Sequence, residues 1–84
     1  MKKVINRKNL TNDIIKIVSS VLNINKKIIN SKSGPDSIGQ WDSLKHLNII
    51  LACEDFFKIK FTNDEIVEIL DIDTMAAIIK EKLS

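Results

Sequence analysis

The sequence predicts an all-α protein, built as a small bundle of three main helices plus one short helix, with a long loop between the first and second helices. Apolar residues recur at spacings of three and four in several segments, as they do along one face of a helix. Residues 58–61 alternate polar and apolar like a strand, but four residues without a partner strand make a poor sheet. The chain has 84 residues, so residues 1–84 are expected to form a single domain, with about residues 1–8 frayed.

The first helix is predicted from a one-sided apolar stripe of about fifteen residues. The stripe ends near Asn23, and its members are Leu10, Ile14, Ile17, Val18, Val21 and Leu22. A long loop follows as far as Asp42, and the run from Ser33 to Ser37 has the Gly and Pro chemistry of a turn. Long loops in compact domains are usually packed or functional. We therefore expect one helical turn near Lys26–Ile29 and five side chains that pin the loop to the core: Ile24, Ile28, Ile29, Ile38 and Trp41.

The second helix is predicted from Ser43 to Phe57, because this stretch contains no Gly or Pro and follows Asp42, a good N-cap residue. At about 100° per residue, its apolar residues form two stripes roughly 150° apart. The bulkier stripe should face the core; it consists of Ile49, Ile50, Cys53, Phe56 and Phe57. The other stripe should stay partly exposed, unless the long loop folds over it; it consists of Leu44, Leu47 and Leu51, bordered by Asn48, Glu54 and Asp55.

An extended connector and two further helices are predicted after residue 57. The connector spans residues 58–61 and should place its two apolar side chains in the core, Ile59 and Phe61. Thr62 and Glu65 match a capping box and open a short third helix that runs through about Leu70. The last helix is predicted from about Thr74 to Leu83, with capping residues before it and lysines near its carboxyl end.

Composition and charge exclude several classes of protein. One cysteine and one histidine cannot form an internal disulfide or a Cys/His zinc site. No apolar run has the length of a membrane span or a signal peptide, so we expect a cytoplasmic protein. Residues 1–34 hold eight basic groups and one acidic group, which would suit a small basic module that binds nucleic acid or another protein. Such clusters of charge more often mark a solvent-exposed surface than a binding site. Arg7 is also the only arginine available for bidentate contacts to bases.

Ser43 is the candidate site for chemistry. A serine in the first turn of a helix lies at the positive end of the helix dipole, beside backbone amides that no carbonyl satisfies. An esterified phosphate would be stabilised there. The simpler interpretation is that Asp42 and Ser43 only cap the helix.

Beyond the residues themselves, the segment from Ile38 to Leu83 resembles the acyl carrier protein family. The resemblance rests on Asp42-Ser43-Leu44, on a helix that ends in Glu54-Asp55-Phe56-Phe57-Lys58-Ile59, and on the cap from Phe61 to Glu65. It implies that Ser43 carries phosphopantetheine transferred from coenzyme A, with acyl groups held as thioesters on the terminal thiol of the arm. It also implies a carrier with no catalysis of its own.

The surroundings of the motif are similar to those of stand-alone carriers of specialised pathways, such as polyketide, aminoacyl or surface-saccharide synthesis. The similar pattern is Gly39-x-Trp41-Asp42-Ser43-Leu44-x-His46. Fatty-acid carriers of this family are strongly acidic after the motif, whereas Lys45, His46 and Asn48 follow here. The acyl group therefore stays open, and an aminoacyl or peptidyl carrier is the alternative.

The resemblance also implies partners. They are a phosphopantetheinyl transferase and the enzymes that load and transfer acyl groups, with a monomeric carrier and neither nucleic acid nor membrane as a partner. The expected docking residues lie on the second and third helices: Asp42, Leu44, Leu47, Asn48, Leu51, Asp55, Asp64, Glu65 and Glu68.

Three side chains near the motif have two interpretations each. His46 lies three residues after Ser43 on the same helix face, so a hydrolytic dyad competes with a histidine packed at the edge of the core. Cys53 is expected to be a buried, inert thiol rather than a reactive one. Trp41 is expected to anchor the loop rather than to belong to a docking surface.

Overall fold

Four α-helices and one 3₁₀ turn make up the described part of the chain, in a computed structural model that describes residues 7–83, with side chains from residue 9. The helices are α1 (Arg7–Leu22), α2 (Ser43–Phe57), α3 (Asn63–Glu68) and α4 (Ile72–Leu83), and the 3₁₀ turn is Lys26–Ile28. No strand occurs within residues 7–83. The predicted all-α bundle with three main helices, one short helix and a long first loop is therefore confirmed. The fraying expected of about residues 1–8 falls mostly outside the described residues.

The core lies between α1, α2 and α4, with α1 packed against both of the others. Each of the three helices contributes side chains with no solvent exposure, among them Ile14 and Val18 of α1, Ile49 of α2, and Ile72 and Ile79 of α4. Burial of one such side chain stabilises the fold by about 1.5–3 kcal/mol. The one-sided stripes of the sequence thus form a single core.

The long loop is pinned to this core at three of the five predicted positions. Ile29, Ile38 and Trp41 are buried, and Ile24 packs partly against them. Ile28 is instead 62% exposed, so the expectation that it anchors the loop was wrong. Ile28 belongs to the single 3₁₀ turn, which has no buried residue, and the inward position falls to Ile29.

The loop also closes the start of α4 through backbone hydrogen bonds. The Ile72 amide donates to the Ser33 carbonyl at 3.0 Å, and the Asp73 amide donates to the Ser31 carbonyl at 2.8 Å. Gly34 makes this close approach possible, because a Cβ at that position would lie 2.0 Å from the Leu70 carbonyl oxygen. Amides at a helix start have no partner within the helix, so the loop carbonyls satisfy two of them.

Two helix boundaries differ from the prediction. The third helix ends at Glu68 rather than near Leu70, because Ile69 has an extended backbone and places its side chain in the core, 1% exposed. The last helix begins at Ile72 rather than near Thr74, because Asp71 is the capping residue and accepts a hydrogen bond from the Thr74 amide at 2.8 Å.

The connector between α2 and α3 is extended, as predicted. Phe61 is buried and Ile59 is partly buried against the core. Lys58 ends α2 in the left-handed conformation with φ 59°, and the Phe61 amide donates to the Glu54 carboxylate at 2.9 Å. Glu54 therefore holds the connector against the end of α2.

Candidate functional site

Ser43 is the first residue of α2, and its side chain is exposed. Asp42 caps the helix with an extended backbone, and its carboxylate accepts a hydrogen bond from the Lys45 amide at 2.8 Å. The amides of Ser43 and Leu44 are the first two of the helix, so no carbonyl of the helix is in position to accept from them. An exposed hydroxyl at the positive end of a fifteen-residue helix can be esterified by a phosphate without loss of core packing.

Trp41 holds the chain in place just before the helix. Its side chain is only 2% exposed, and its indole Nε1–H donates to Nδ1 of His46 at 3.0 Å. This confirms the expectation that Trp41 anchors the loop. The position of Ser43 is thus fixed by the Asp42 cap on the helix and by a buried indole two residues earlier.

His46 is half-buried at the edge of the core, with both ring nitrogens bonded. Because an indole nitrogen can only donate, Nδ1 of His46 is the acceptor and the ring proton lies on Nε2. Nε2 lies 3.1 Å from the Ile66 carbonyl oxygen, so it donates to α3. Neither nitrogen is available to accept the Ser43 proton, which argues against a hydrolytic dyad and favours the packed histidine.

The outer face of α2, which we define as Leu44, Leu47 and Leu51, is exposed as predicted. The exposed fractions are 67%, 49% and 62%, and the long loop does not fold over these side chains. Two apolar residues of the α3 region are also exposed, Val67 at 77% and Leu70 at 63%. Sequence periodicity did not single them out, because α3 is too short to show a pattern.

The inner face of α2 is buried through Ile49, Ile50 and Cys53, while Phe57 is partly buried. Phe56 is 57% exposed, so its assignment to the core was wrong. At 100° per residue Phe56 lies at the edge of the core stripe, in the last turn of the helix. It packs edge-on against Phe57, with ring centroids 4.8 Å apart, and borders a surface groove shared with α1.

Cys53 is the buried, inert thiol that was expected. It has no solvent exposure, and its sulfur lies 3.7 Å from the Met75 sulfur. Burial, with a smaller contribution from the charge of Glu54, raises the pKa of the Cys53 thiol to about 12. Because the thiolate is the reactive form, we expect this thiol to be unreactive at neutral pH.

Four of the five acidic residues predicted for docking are exposed. Asp42, Asp55, Asp64 and Glu68 are exposed. Asp55 lies 3.9 Å from the exposed Lys58 amine. These carboxylates are accessible to a partner.

Glu65 is more constrained than the other acidic residues. Its carboxylate accepts from the Thr62 amide at 2.8 Å, which completes the predicted capping box, and from the Lys82 amine at 2.8 Å. The hydrogen bond from Lys82, followed by the bond from the Thr62 amide, lowers the pKa of Glu65. The ion pair with Lys82 joins α3 to α4, and local sequence patterns gave no sign of it.

Within residues 7–83, no three His, Cys, Asp or Glu side chains come together as a metal site would require. None of the helices in this part of the chain is long and apolar enough to cross a bilayer.

Comparison with solved structures gives a clear fold. The chain is similar to the solution NMR structure of a holo acyl carrier protein from Geobacter metallireducens, with a TM-score of 0.80 and 26% sequence identity. The similarity covers 88% of this chain and 85% of that chain. No protein-family model and no curated protein matches the sequence. The chain therefore has the acyl carrier protein fold, which confirms the resemblance found in the sequence.

Proposed function

We propose that this chain is an acyl carrier protein whose Ser43 hydroxyl is the attachment point of phosphopantetheine. The observation that carries the proposal is the exposed Ser43 at the capped start of α2, in a chain with the acyl carrier fold. The similar solved structure is of a holo carrier, which supports the cofactor assignment. When bound, phosphopantetheine supplies a terminal thiol that holds acyl groups as thioesters.

The residues around Ser43 fit a phosphodiester. The hydroxyl is exposed, so its oxygen can attack a phosphorus atom of coenzyme A while a base of the transferase takes its proton and the nucleotide bisphosphate leaves. The helix dipole and the two first-turn amides favour the negative charge that remains at the serine. The nearby Asp42 carboxylate is already engaged by the Lys45 amide, which limits its repulsion of that charge.

Among the described residues, His46 is not available as a base for catalysis at Ser43. His46, the one histidine of the sequence, uses both ring nitrogens for bonds to Trp41 and Ile66. A nucleophilic serine would need such a base to take its proton. Loading and unloading of the arm are therefore the work of partner enzymes.

The outer face of α2 is the proposed docking site for these enzymes. It combines exposed leucines next to Ser43 with carboxylates at its border, a mixture suited to weak and transient protein contacts. The proposed set is Asp42, Leu44, Leu47, Asn48, Leu51, Asp55, Asp64, Glu65 and Glu68, and of these Glu65 contributes least, because its carboxylate is engaged within the fold.

The transferase and the enzymes that load and transfer the acyl group are the proposed partners of a monomeric carrier. A specialised pathway is favoured over housekeeping fatty-acid synthesis, since Lys45, His46 and Asn48 follow the motif and the net charge is +2. The proposal covers acyl groups in the broad sense, aminoacyl groups included.

Intact-mass spectrometry tests the proposal. Incubation with coenzyme A and a broad-specificity phosphopantetheinyl transferase should add one phosphopantetheine to the protein, and Ser43→Ala should abolish the gain while leaving helical circular dichroism unchanged. Ser37→Ala is the matched control, because Ser37 is a loop serine bonded to Gly34, and this variant should be modified normally. Modification of Ser43→Ala would overturn the assignment, as would an unmodified native chain.

A further inference from the structure

His46 joins three parts of the fold at one side chain. Its Nδ1 accepts from the buried Trp41 of the long loop, and its Nε2 donates to the Ile66 carbonyl of α3. The residue itself belongs to the first turn of α2, three positions after Ser43. Two hydrogen bonds, of 3.0 Å and 3.1 Å, thus link the loop, α2 and α3 through this one side chain.

The third helix depends on contacts with the rest of the fold. It has six residues, none of them fully buried, whereas isolated helices shorter than about 12–15 residues are marginal in water. Ile66 packs partly against the core, and the ion pair between Glu65 and Lys82 joins α3 to α4. The bond from His46 reaches the Ile66 carbonyl, one of the last four carbonyls of the helix, which have no partner within it.

The bond from His46 fixes where α3 lies relative to the start of α2. The 3.1 Å contact joins the first turn of α2 to the Ile66 carbonyl, so α3 packs against the turn that begins with Ser43. Val67, the next residue of α3, is exposed, as are Asp64 and Glu68. The exposed residues of α3 are therefore held at the same end of α2 as Ser43.

We propose that His46 is a positioning residue, which holds α3 against the first turn of α2 and so keeps the exposed residues of α3 at the end of α2 that carries Ser43. This inference rests on the proposed carrier function, and the partner it concerns is the transferase, which must reach Ser43 beside α3. His46 has no contact with the reacting atoms in this role.

The two bonds of His46 can be separated by substitution. The Asn side-chain oxygen reaches the position of the histidine Nδ1 and accepts a hydrogen bond, so His46→Asn keeps the bond from Trp41 and loses the bond to Ile66. The Gln side-chain nitrogen reaches the position of Nε2 and donates, so His46→Gln keeps the bond to Ile66 and loses the bond from Trp41. The two variants form a matched pair of neutral amides.

The experiment measures modification by the transferase at varied carrier concentration, for the native chain and both variants. His46→Asn should raise the KM for the carrier about three- to tenfold, the loss expected for one hydrogen bond, with kcat changed less than about twofold. His46→Gln keeps the bond to Ile66 and should raise the KM less than His46→Asn does, although it leaves the buried Trp41 N–H without its acceptor. Hydrogen exchange of the α3 amides should accelerate in His46→Asn and not in His46→Gln, which would show that α3 has been released.

Equal kinetics for the three proteins would overturn the proposal, as would a larger loss in His46→Gln than in His46→Asn. Unchanged exchange in α3 of His46→Asn would also overturn it. If the native chain is not modified at all, the carrier function fails, and the exchange measurement still decides whether His46 holds α3 in place.

Discussion

The two faces of α2 have similar side chains and opposite surroundings. Ile49, Ile50 and Cys53 on the inner face are 0–2% exposed, whereas Leu44, Leu47 and Leu51 on the outer face are 49–67% exposed. The inner face is covered by α1 and α4, and the long loop that could have covered the outer face packs against the start of α4 instead. The apolar residues of α2 therefore stabilise the fold on one side and stay exposed on the other, where we propose that partner enzymes bind.

This difference teaches how a small domain can keep an apolar surface exposed. Scattered exposed leucines are ordinary in soluble proteins. Three of them on one helix face beside an exposed serine form a contiguous patch, and such patches mark interaction sites. The same contrast separates two residues of α2 that could react, because Ser43 is exposed and Cys53 is buried.

The largest expected loss of stability comes from a substitution on the inner face of α2. Ile49→Ala should lower the free energy of unfolding by about 2–5 kcal/mol, because it leaves a cavity at a position with no solvent exposure. Urea denaturation followed by circular dichroism measures the change. The control on the opposite face is Leu47→Ala, which should cost less than about 1 kcal/mol. Equal losses in the two variants would show that the faces do not differ.

A smaller effect is expected where the loop meets α4. Gly34→Ala should destabilise the fold by about 1–3 kcal/mol, because its Cβ would overlap the Leu70 carbonyl and displace the loop from the start of α4. Gly39→Ala is the matched control, since no atom lies within 4 Å of a Cβ there. Thermal unfolding compares the two variants. A Gly34→Ala protein as stable as Gly39→Ala would contradict the packed position of the loop.

Substitutions on the outer face of α2 should weaken the reactions with partner enzymes and leave stability nearly unchanged. Leu44→Gln and Leu51→Gln should change the free energy of unfolding by less than about 1 kcal/mol, as surface substitutions do, while lowering the rates of modification and of loading. Ile28→Gln is the control, because Ile28 and Leu51 are each 62% exposed and Ile28 lies outside the outer face. Losses of several kcal/mol in the leucine variants would assign these side chains to the core. Equal rates of modification and loading in all three variants would show that partner enzymes do not dock on this face.

The smallest effect is a pH dependence at the rim of the fold. Hydrogen bonds from the backbone and then the side chain of Thr74 lower the pKa of Asp71, and hydrogen bonds from Lys82 and Thr62 lower the pKa of Glu65. A depressed pKa in the folded state gives stability that is present above the ordinary values of 3.8 and 4.5 and is lost as the pH falls through the folded values. Denaturation midpoints measured from pH 6 downward should therefore decline below about pH 4. Asp71→Asn should flatten part of the decline, and an unchanged slope would contradict the capping role of Asp71.

Most of the fold follows from local patterns in the sequence. The bounds of α2, the Asp42 cap, the capping box of Thr62 and Glu65, and the exposed leucine stripe could be predicted. Each of them depends on residues within a single continuous segment. The end of α3 and the start of α4 each differ from the prediction by two residues, because the burial of Ile69 and the cap of Asp71 decide them.

The remaining features depend on contacts between distant segments. Gly34 faces the Leu70 carbonyl, and Glu65 pairs with Lys82, yet nothing in either short segment indicates the partner. Phe56 is exposed beside a groove shared with α1, and the α2 pattern alone did not indicate that α1 leaves it uncovered. The bonds of His46 to Trp41 and Ile66 join the long loop and α3 to the start of α2. The sequence predicted only that the ring packs at the edge of the core.

The most direct measurement is a titration of accessible thiols on the folded protein, before and after incubation with coenzyme A and the transferase. Cys53 is fully buried and burial raises its pKa to about 12, so the native chain should react with no thiol reagent on the time scale of an exposed thiol. After incubation one rapidly reacting thiol per chain should appear, and it should be absent from Ser43→Ala. A reactive thiol before incubation would contradict the buried inner face, and no new thiol after incubation would contradict the carrier function.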